Sequence, residues 1–351
     1  MRLAVDVMGG DHAPDVVLKG CIEAVPFLAG GDRLVLVGPR ALIDDYLSER
    51  GLTDPRLIVE DAPDVIEMGE SAAKAVRSKP DSSIVRMARL GSHKTEAGAR
   101  ADAVLSAGNT GACVSAAIMQ MKRLPGVHRP GIAVTIPAFH GPVVLCDAGA
   151  NPEPKATHLW QYGVMAEVYA RQVLKIEKPR VAQMNIGSEE AKGTGLTKQT
   201  RDLLKATPGI DYIGYIEGRD FFDGAADVVV TDGFTGNTLL KMAEGLAKSL
   251  FAAIAHELFI TDPDLAMKLE PVVKKIYAKN DYHEHGGAPL LGVNGAFMIA
   301  HGSSEARTIR AAIRKMREFI AAGVNEAIIA RLEEVRACPA LAGIAEEAGT
   351  A

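Results

Sequence analysis

Two turns in the sequence combine glycine with asparagine and threonine, a composition that favours anion binding. One runs from Thr231 to Asn237, and its near copy runs from Ser106 to Gly111. Each follows a short apolar run and precedes a helical pattern, so both are predicted where a buried strand enters a helix. Gly233 and Gly236 are expected to take positive φ and let a ligand approach the backbone. Because N–H groups at a helix N-terminus attract negative charge, both turns predict a site for a polyatomic anion.

Four further strand ends carry small and polar residues together. They are Asp6 to Asp11, Asp147 to Asn151, Asn185 to Lys192 and His301 to Ser304. In a parallel sheet the carboxyl ends of the strands share one edge, and ligands bind there. The sequence therefore predicts that all six turns line one cleft. The alternative is that glycine and asparagine simply form tight turns between strands and helices.

Lys192 and Cys113 are candidates for chemistry at these turns. Lys192 lies within a turn and would neutralise a bound anion, although a lysine there is equally typical of a solvated surface. Cys113 follows Gly111 at a predicted helix N-terminus, where a thiolate is stabilised and could act as a nucleophile. Its apolar neighbours favour a packed core cysteine instead.

Histidines and acidic residues supply the remaining candidates. His12, His283, His285 and His301 could each transfer a proton, and each could equally serve as a hydrogen-bonding residue of a turn. Asp6 and Asp11 are too few carboxylates for a convincing metal site. They are expected to close the Gly9-Gly10 turn by accepting hydrogen bonds from backbone N–H groups.

Strands and helices alternate along most of the chain and must position these turns. Apolar runs such as Arg2–Val7 and Val143–Cys146 predict strands, and the spacing over Ala156–Val173 and Thr238–Phe259 predicts helices. This alternation predicts an α/β fold with largely parallel sheets and flanking helices. The last predicted strand is Phe297–Ala300, and no strand is assigned to residues 283 to 295 before it.

The domain organisation is expected to be simple. No linker-like composition interrupts residues 1–335, so we expect a single unit of two intimately packed α/β parts around a cleft. Residues 336–351 are expected to form a C-terminal tail.

Composition and charge exclude several classes of protein. The 351 residues carry a formal net charge of −5, which argues against nucleic acid as a partner. Four cysteines without metal-ligand spacing, and no signal peptide, predict a reduced cytoplasmic protein. The chain lacks the glycine-rich dinucleotide fingerprint, the nucleoside-triphosphate loop and the serine-hydrolase elbow, so those enzyme classes lose their best support.

The sequence resembles the bacterial phosphate acyltransferases of phospholipid synthesis from Met1 to about Ala330. The resemblance rests on eight motifs in the expected order. They are DVMGGDHAP at residues 6–14, SAGNTGA at 106–112, DAGAN at 147–151, NIG at 185–187, KG at 192–193, TDGFTGN at 231–237, GGAPLLG at 286–292 and AHGSS at 300–304. Such a resemblance implies a fold similar to the phosphotransacetylases and the isocitrate and isopropylmalate dehydrogenases.

The resemblance also implies the reaction and its residues. A long-chain acyl group would pass from acyl carrier protein to inorganic phosphate, giving acyl phosphate as the first step toward phosphatidic acid, with no cofactor and no metal. Phosphate would attack the thioester directly, with Lys192 and Asn237 in the site and His12 or His301 donating a proton to the leaving thiolate. The other substrate-binding residues taken from the motifs are Gly9, Gly10, Gly108, Asn109, Thr110, Asn151, Asn185, Gly233, Thr235 and Gly236.

The expected partners follow from the resemblance and from surface patterns. A homodimer is implied, and the downstream membrane glycerol-phosphate acyltransferase is a further candidate partner. Two basic faces could dock the acidic carrier protein, one with Arg307, Arg310, Arg314 and Arg317 and one with Lys268, Lys274, Lys275 and Lys279, although both could be solvated helix faces. The apolar helices over 246–260 and 262–277 are expected to form the dimer contact, with peripheral binding at the inner face of the cell membrane as the second interpretation.

Three other functions remain as alternatives. A phosphotransacetylase would use acyl-coenzyme A in place of the carrier-protein thioester. A dehydrogenase of the same fold lacks a convincing cofactor sequence. A non-catalytic scaffold for lipid enzymes would account for the apolar helices and leave the six polar turns unexplained.

Overall fold

The computed structural model describes residues 1–280, 286–338 and 341. His283 and His285, most of the expected tail and the side chain of Lys279 lie outside the described residues. Eleven strands are described: β1 Arg2–Asp6, β2 Arg33–Gly38, β3 Leu57–Asp61, β4 Ala103–Ser106, β5 Gly131–Ala138, β6 Gly141–Cys146, β7 Arg180–Met184, β8 Asp211–Ile216, β9 Val228–Val230, β10 Ala288–Leu291 and β11 Ala296–Ile299. The described α-helices are α1 Asp15–Ala24, α2 Arg40–Glu49, α3 Ala72–Ser78, α4 Ser83–Leu90, α5 Thr110–Ala116, α6 Ala156–Gln172, α7 Gly195–Lys205, α8 Gly233–Thr261, α9 Pro263–Asn280, α10 Ala306–Ala321 and α11 Val324–Arg336.

All these strands join one mixed sheet, in the order β3-β2-β1-β4-β11-β10-β5-β6-β9-β7-β8. The strands from β3 to β11 in this order are parallel to one another, and so are β6, β9, β7 and β8. Between these two groups the direction reverses three times, because β10 is antiparallel to β11 and to β5, and β5 is antiparallel to β6. The α/β class and the largely parallel pairing are confirmed, and the two parallel groups run in opposite directions.

This reversal corrects the expectation that all six turns share one edge. The carboxyl ends of β1, β4 and β11 lie at one edge of the sheet, which we call the first edge. The carboxyl ends of β6, β7 and β9 lie at the opposite edge, the second edge. The prediction was wrong because it assumed one direction for every strand, and three antiparallel pairings separate the two groups.

Helices cover both faces of the sheet. On β1 the side chains of Leu3 and Val5 enter one apolar cluster and that of Ala4 enters another, because successive side chains alternate across a strand. The first cluster packs under α1, α6, α10 and α11, and the second under α3, α4 and α5. A third cluster around Val143 and Leu145 lies under the start of α8, where Leu239 and Leu240 are partly buried.

Two element boundaries differ from the sequence prediction. Strand β10 was not predicted, because four residues that include Pro289 give a weak strand pattern. Helix α8 begins at Gly233 and not at Thr238, since Asp232 caps it by accepting the backbone N–H of Thr235 at 2.8 Å. No helix within the described part of the chain is long and apolar enough to span a bilayer.

Candidate active site

The turns that follow β1, β4 and β11 contact one another at the first edge. A Cβ atom on Gly9 would lie 2.6 Å from the backbone nitrogen of Gly108, so only glycine fits there. Gly10 adopts a φ of 113°, a conformation that also favours glycine. The backbone N–H group of the next residue, Asp11, donates a hydrogen bond to the carbonyl oxygen of Gly302 at 2.7 Å. The sequence prediction that these three motifs lie side by side is therefore confirmed.

The carboxylate of Asp6 connects the turn that follows β1 with the turn that follows β4. This carboxylate accepts the hydroxyl of Ser106 at 2.7 Å and the backbone N–H of Met8 at 3.1 Å. The Ser106 oxygen in turn accepts the N–H group of Gly108 at 3.0 Å. Burial raises the pKa of Asp6 above its usual value, although the hydrogen bonds from hydroxyl and N–H groups oppose this shift. The predicted role of Asp6 in closing the glycine turn is confirmed.

Asn109 organises the turn after β4. Its side-chain oxygen caps α5 by accepting the N–H group of Ala112 at 3.0 Å. Its amide nitrogen donates to the carbonyl oxygens of Met68 at 2.9 Å and Glu70 at 3.1 Å. These bonds hold the side chain of Asn109 in place, while Thr110 at the first position of the helix is exposed. Asn109 therefore shapes this part of the site, and Thr110 is accessible to a ligand.

His301 follows β11 and forms a short-range pair with Ser303. The N–H group of Ser303 donates to His301 Nδ1 at 3.2 Å, and the Ser303 hydroxyl lies 2.8 Å from the same nitrogen. Because Nδ1 accepts a hydrogen bond from the backbone, the neutral ring carries its proton on Nε2. His301 therefore presents an N–H donor from the first edge. His12 is exposed on the neighbouring turn after β1.

Cys113 belongs to α5, and its side chain lies in the core and not at the surface of the site. Its side chain is fully buried, and burial raises the pKa of its thiol to about 12. A thiol with this pKa stays protonated near neutral pH. The core interpretation of Cys113 is confirmed, and the nucleophile interpretation is not supported.

The turn after β6 is organised around Asp147 at the second edge. Its carboxylate accepts the N–H groups of Ile132 at 2.9 Å, Ala150 at 3.0 Å and Asn151 at 2.7 Å. Burial raises the pKa of Asp147, and these backbone hydrogen bonds oppose the shift. The side-chain amide of Asn151 donates to Pro130 O at 2.7 Å and lies 2.6 Å from the hydroxyl of Tyr162. Asn151 therefore fixes this loop in place.

Helix α8 begins directly against the Asp147 loop. The N–H group of Gly233 donates to the carbonyl oxygen of Asn151 at 2.8 Å, and a Cβ atom on Gly236 would overlap the carbonyl oxygen of Asp147. Neither glycine has positive φ, so the expected reason for these glycines was wrong. They are required because the first turn of the helix packs closely on the loop.

The N-terminus of α8 already carries an anionic cap. The carboxylate of Asp232 accepts both the N–H group of Thr235 at 2.8 Å and its hydroxyl at 2.7 Å. Thr235 is thus occupied by the cap, whereas Asn237 is half-buried beside Gly149. This arrangement weakens the prediction of an anion at this terminus, because the negative charge of Asp232 is already there.

The turn after β7 places Asn185 and Lys192 at the second edge. The amide of Asn185 donates to Gly187 O at 3.1 Å, and Gly193, with a φ of 90°, lies against it. Lys192 is exposed. The structure thus divides the predicted residues into two sets. The first-edge set is Gly9, Gly10, His12, Gly108, Asn109, Thr110 and His301, and the second-edge set is Asn151, Asn185, Lys192, Gly233, Thr235, Gly236 and Asn237.

A cleft of about 830 Å³ opens beside the first-edge turns. One wall is the part of α8 from Leu240 to Phe251, and another is the β11–α10 turn with His301, Ser303 and Arg307. The end of the β5–β6 hairpin, Ile136 to Phe139, contributes the third side. Sequence reasoning missed the hairpin and this face of α8, since their apolar residues are indistinguishable from core residues by pattern.

Comparisons with known proteins identify the family. The chain matches the family described as "Fatty acid synthesis protein" over residues 1–327. Proteins named phosphate acyltransferase are similar to it, among them that of Geotalea daltonii, 40% identical over 95% of this chain and 95% of the relative. Another, from Bacillus subtilis strain 168, is 42% identical over 95% of this chain and 98% of the relative.

Several solved structures have a similar fold. A phosphotransacetylase from Streptococcus pyogenes has a TM-score of 0.61 at 17% identity, covering 93% of this chain and 94% of that one. A branched-chain phosphotransacylase from Enterococcus faecalis V583 has a TM-score of 0.51 at 12% identity, covering 91% and 98%. At these identities the likeness establishes the fold alone. The sequence matches over nearly the whole chain show that this chain is an enzyme that belongs to the phosphate acyltransferase family.

Proposed function

We propose that the protein transfers a long-chain acyl group from acyl carrier protein to inorganic phosphate. The products are acyl phosphate, the first intermediate toward phosphatidic acid, and the carrier thiol. The observation that carries this proposal is the cleft beside the first-edge turns, where apolar side chains and polar turn residues line one cavity. An acyl donor needs both environments, because its chain is apolar while its thioester and the attacking phosphate are polar.

The reaction needs no nucleophile from the enzyme. A phosphate oxygen attacks the thioester carbonyl carbon, and the C–S bond breaks as the new C–O bond remains. Negative charge passes from the carbonyl oxygen to the sulfur, so preorganised donors lower the barrier. We assign His301 to the sulfur: as an imidazolium, with its Nδ1–H donating to the hydroxyl oxygen of Ser303, it transfers its Nε2 proton to the leaving thiolate. The proton that the attacking hydrogen phosphate loses then restores the imidazolium, so that the carrier leaves as a thiol. His12 is the second candidate for this step.

Phosphate is assigned to the turn after β4, with Gly108 and Thr110, and to the adjacent Gly9-Gly10 turn. These backbones already approach one another closely, as Asp6 and Asn109 hold them. The roles of Lys192 and Asn237 in the reaction stay predictions. Both lie at the second edge, so their part in the same reaction is tested separately from that of the first-edge residues.

Docking of the acidic carrier protein is proposed at one of the two basic faces. On α10, Arg310 lies 3.7 Å from Glu23 and Arg317 lies 3.2 Å from Asp32. These ion pairs reduce the positive charge that the arginine face presents. On α9, Lys274 pairs with Glu270 at 2.6 Å, whereas Lys268 is exposed one and a half turns away. The lysine face of α9 is therefore the stronger docking candidate.

Incubation of the purified protein with acyl carrier protein thioester and phosphate tests the proposed reaction. We expect acyl phosphate and carrier thiol in equal amounts, measured by hydroxamate formation and thiol titration. A preference for acyl-coenzyme A would instead support the phosphotransacetylase alternative. The absence of product with either donor would support the scaffold alternative.

The same assay assigns the residues. His301→Gln should lower kcat by about a hundredfold or more, the usual effect of losing an acid–base group. His256→Gln, an exposed histidine on α8, is the matched control and should keep full activity. Lys192→Ala and Asn237→Ala are measured alongside, and full activity in both would remove the second-edge residues from the site.

A further inference from the structure

The cleft beside the first edge has a polar side and an apolar side. His301, Ser303 and Arg307 lie on the polar side, close to the turns that we assign to phosphate. Ile136, Phe139 and Phe251 are among the apolar lining residues, and the side chain of Phe139 is 92% exposed at the hairpin tip. The hairpin tip thus places an apolar side chain at the rim of the cavity.

The wall formed by α8 is long and includes small residues. The lining residues extend from Leu240 to Phe251, and at about 1.5 Å per residue this wall is about 17 Å long. Ala243 and Ala247 lie four positions apart, so they occupy neighbouring positions on the same face of the helix. Small side chains at these two positions leave the volume of the cleft open.

Charged residues also lie within this wall. Glu244 is half-buried, and burial raises the pKa of its carboxyl, while the nearby Lys241 opposes the shift. Lys241 and Lys248 also line the cleft. The aliphatic stems of lysines can cover an apolar ligand while their ammonium groups stay in water. These charged side chains are therefore compatible with an apolar occupant along the alanine positions.

We propose that this cleft binds the acyl chain of the donor, and that Ala243 and Ala247 determine the chain length that the enzyme accepts. The inference rests on the proposed acyl transfer and adds the location of the chain and its specificity residues. This location of the chain is supported by the shape of the cleft, because one cavity extends from the turn with His301 to the apolar residues of α8. A thioester held near His301 would extend its chain between α8 and the β5–β6 hairpin.

Substitution of Ala247 by Trp tests the proposal through chain-length selectivity. Acyl carrier protein loaded with hexadecanoyl or butanoyl groups serves as donor, and kcat/KM is measured for each. Because each methylene removed from water contributes about 0.8 kcal/mol, exclusion of two or more from the cleft should lower kcat/KM for the long chain by at least about tenfold. The short chain should be used as before, and Ala243→Trp should act in the same direction.

The matched control is Ala253→Trp, an exposed alanine on the same helix outside the lining of the cleft. It should leave the ratio of long-chain to short-chain kcat/KM unchanged. An unchanged ratio in both Ala247→Trp and Ala243→Trp would overturn the cleft proposal while acyl transfer stood. The denaturation midpoints of all variants establish that each is folded.

A binding measurement separates failure of this inference from failure of the proposed reaction. A fluorescent long-chain fatty acid is titrated into the wild type, Ala247→Trp and Ala253→Trp. We expect saturable binding that Ala247→Trp weakens by about tenfold and that Ala253→Trp leaves unchanged. Equal binding by all three proteins would overturn the inference, whether or not acyl phosphate is formed.

Discussion

Gly236 and Gly245 lie on the same helix, α8, but have different surroundings. A Cβ atom on Gly236 would overlap the carbonyl oxygen of Asp147, whereas one on Gly245 would meet nothing within 4 Å. Gly236→Ala should therefore destabilise the fold by about 1–3 kcal/mol through overpacking. Gly245→Ala should stabilise it by up to about 1 kcal/mol, because alanine favours the helix more than glycine does.

Urea denaturation of both variants measures these two changes. The midpoint should fall for Gly236→Ala and rise or stay level for Gly245→Ala, with similar slopes. Equal midpoints for the two variants would mean that, in Gly236→Ala, the first turn of α8 moves away from the Asp147 loop without lowering the free energy of unfolding. The close packing at the second edge would then lose its structural explanation.

At the scale of elements, the beginnings of β7 and β9 are joined by one ion pair. Asp227 accepts the backbone N–H of Arg180 at 2.8 Å and two guanidinium N–H groups at 3.0 Å. Burial raises the pKa of Asp227, but these hydrogen bonds outweigh it and hold the pKa below its usual 3.8. The ionised carboxylate therefore stabilises the junction of the two strands.

This pair predicts a pH-dependent contribution to stability. Because the folded-state pKa of Asp227 is lowered, its contribution is present above pH 3.8 and is lost as the pH falls through the folded value. Asp227→Asn should cost about 1–3 kcal/mol of unfolding free energy at neutral pH, and the difference from the wild type should shrink in acid. Unfolding free energies measured from neutral pH to below pH 3.8 check this. Asp223→Asn, with the same charge change at an exposed position, should show no such difference.

At the scale of the whole molecule, the sequence predicted local elements better than their directions. The predicted range of helix α6, Ala156–Val173, agrees with the observed range, Ala156–Gln172, to within one residue. The agreement is close because the apolar spacing that predicts a helix is a local property of the sequence. The reversal between β11 and β6 depends on pairings through β10 and β5, and a strand pattern contains no information about the direction of its neighbour. The individual turns were therefore predicted correctly, whereas the prediction that all six lie at one edge of the sheet was wrong.

The first-edge set shows what the motifs could predict. The close contact between Gly9 and Gly108 follows from glycine at both positions, and the role of Asp6 follows from its place before the turn. The apolar cleft could not be predicted in this way. Its lining combines residues of β5, of α8 and of the β11–α10 turn, three segments that are far apart in sequence and meet only through the fold.

Helix α8 carries a row of exposed apolar side chains. Met242, Leu246 and Leu250 are 66%, 63% and 56% exposed, and their spacing of four residues places them along one side of α8. Further exposed apolar residues lie on α9, including Met267 and Val272. Contiguous apolar surface of this kind marks an interface. We propose a second copy of the chain as the occupant, with a lipid surface as the competing occupant.

Met242→Glu combined with Leu246→Glu, at two positions outside the lining of the cleft, should convert the proposed dimer into a monomer, since each charge would be buried without a partner in the contact. Sedimentation velocity at micromolar concentration measures the change, and Ala252→Glu, on another side of α8, should stay dimeric. Co-sedimentation with anionic vesicles tests the competing occupant. A wild-type protein that is monomeric and binds vesicles, with binding lost in the double variant, would assign this surface to the membrane and contradict the dimer contact. A dimer that survives both substitutions would place the contact elsewhere on the chain.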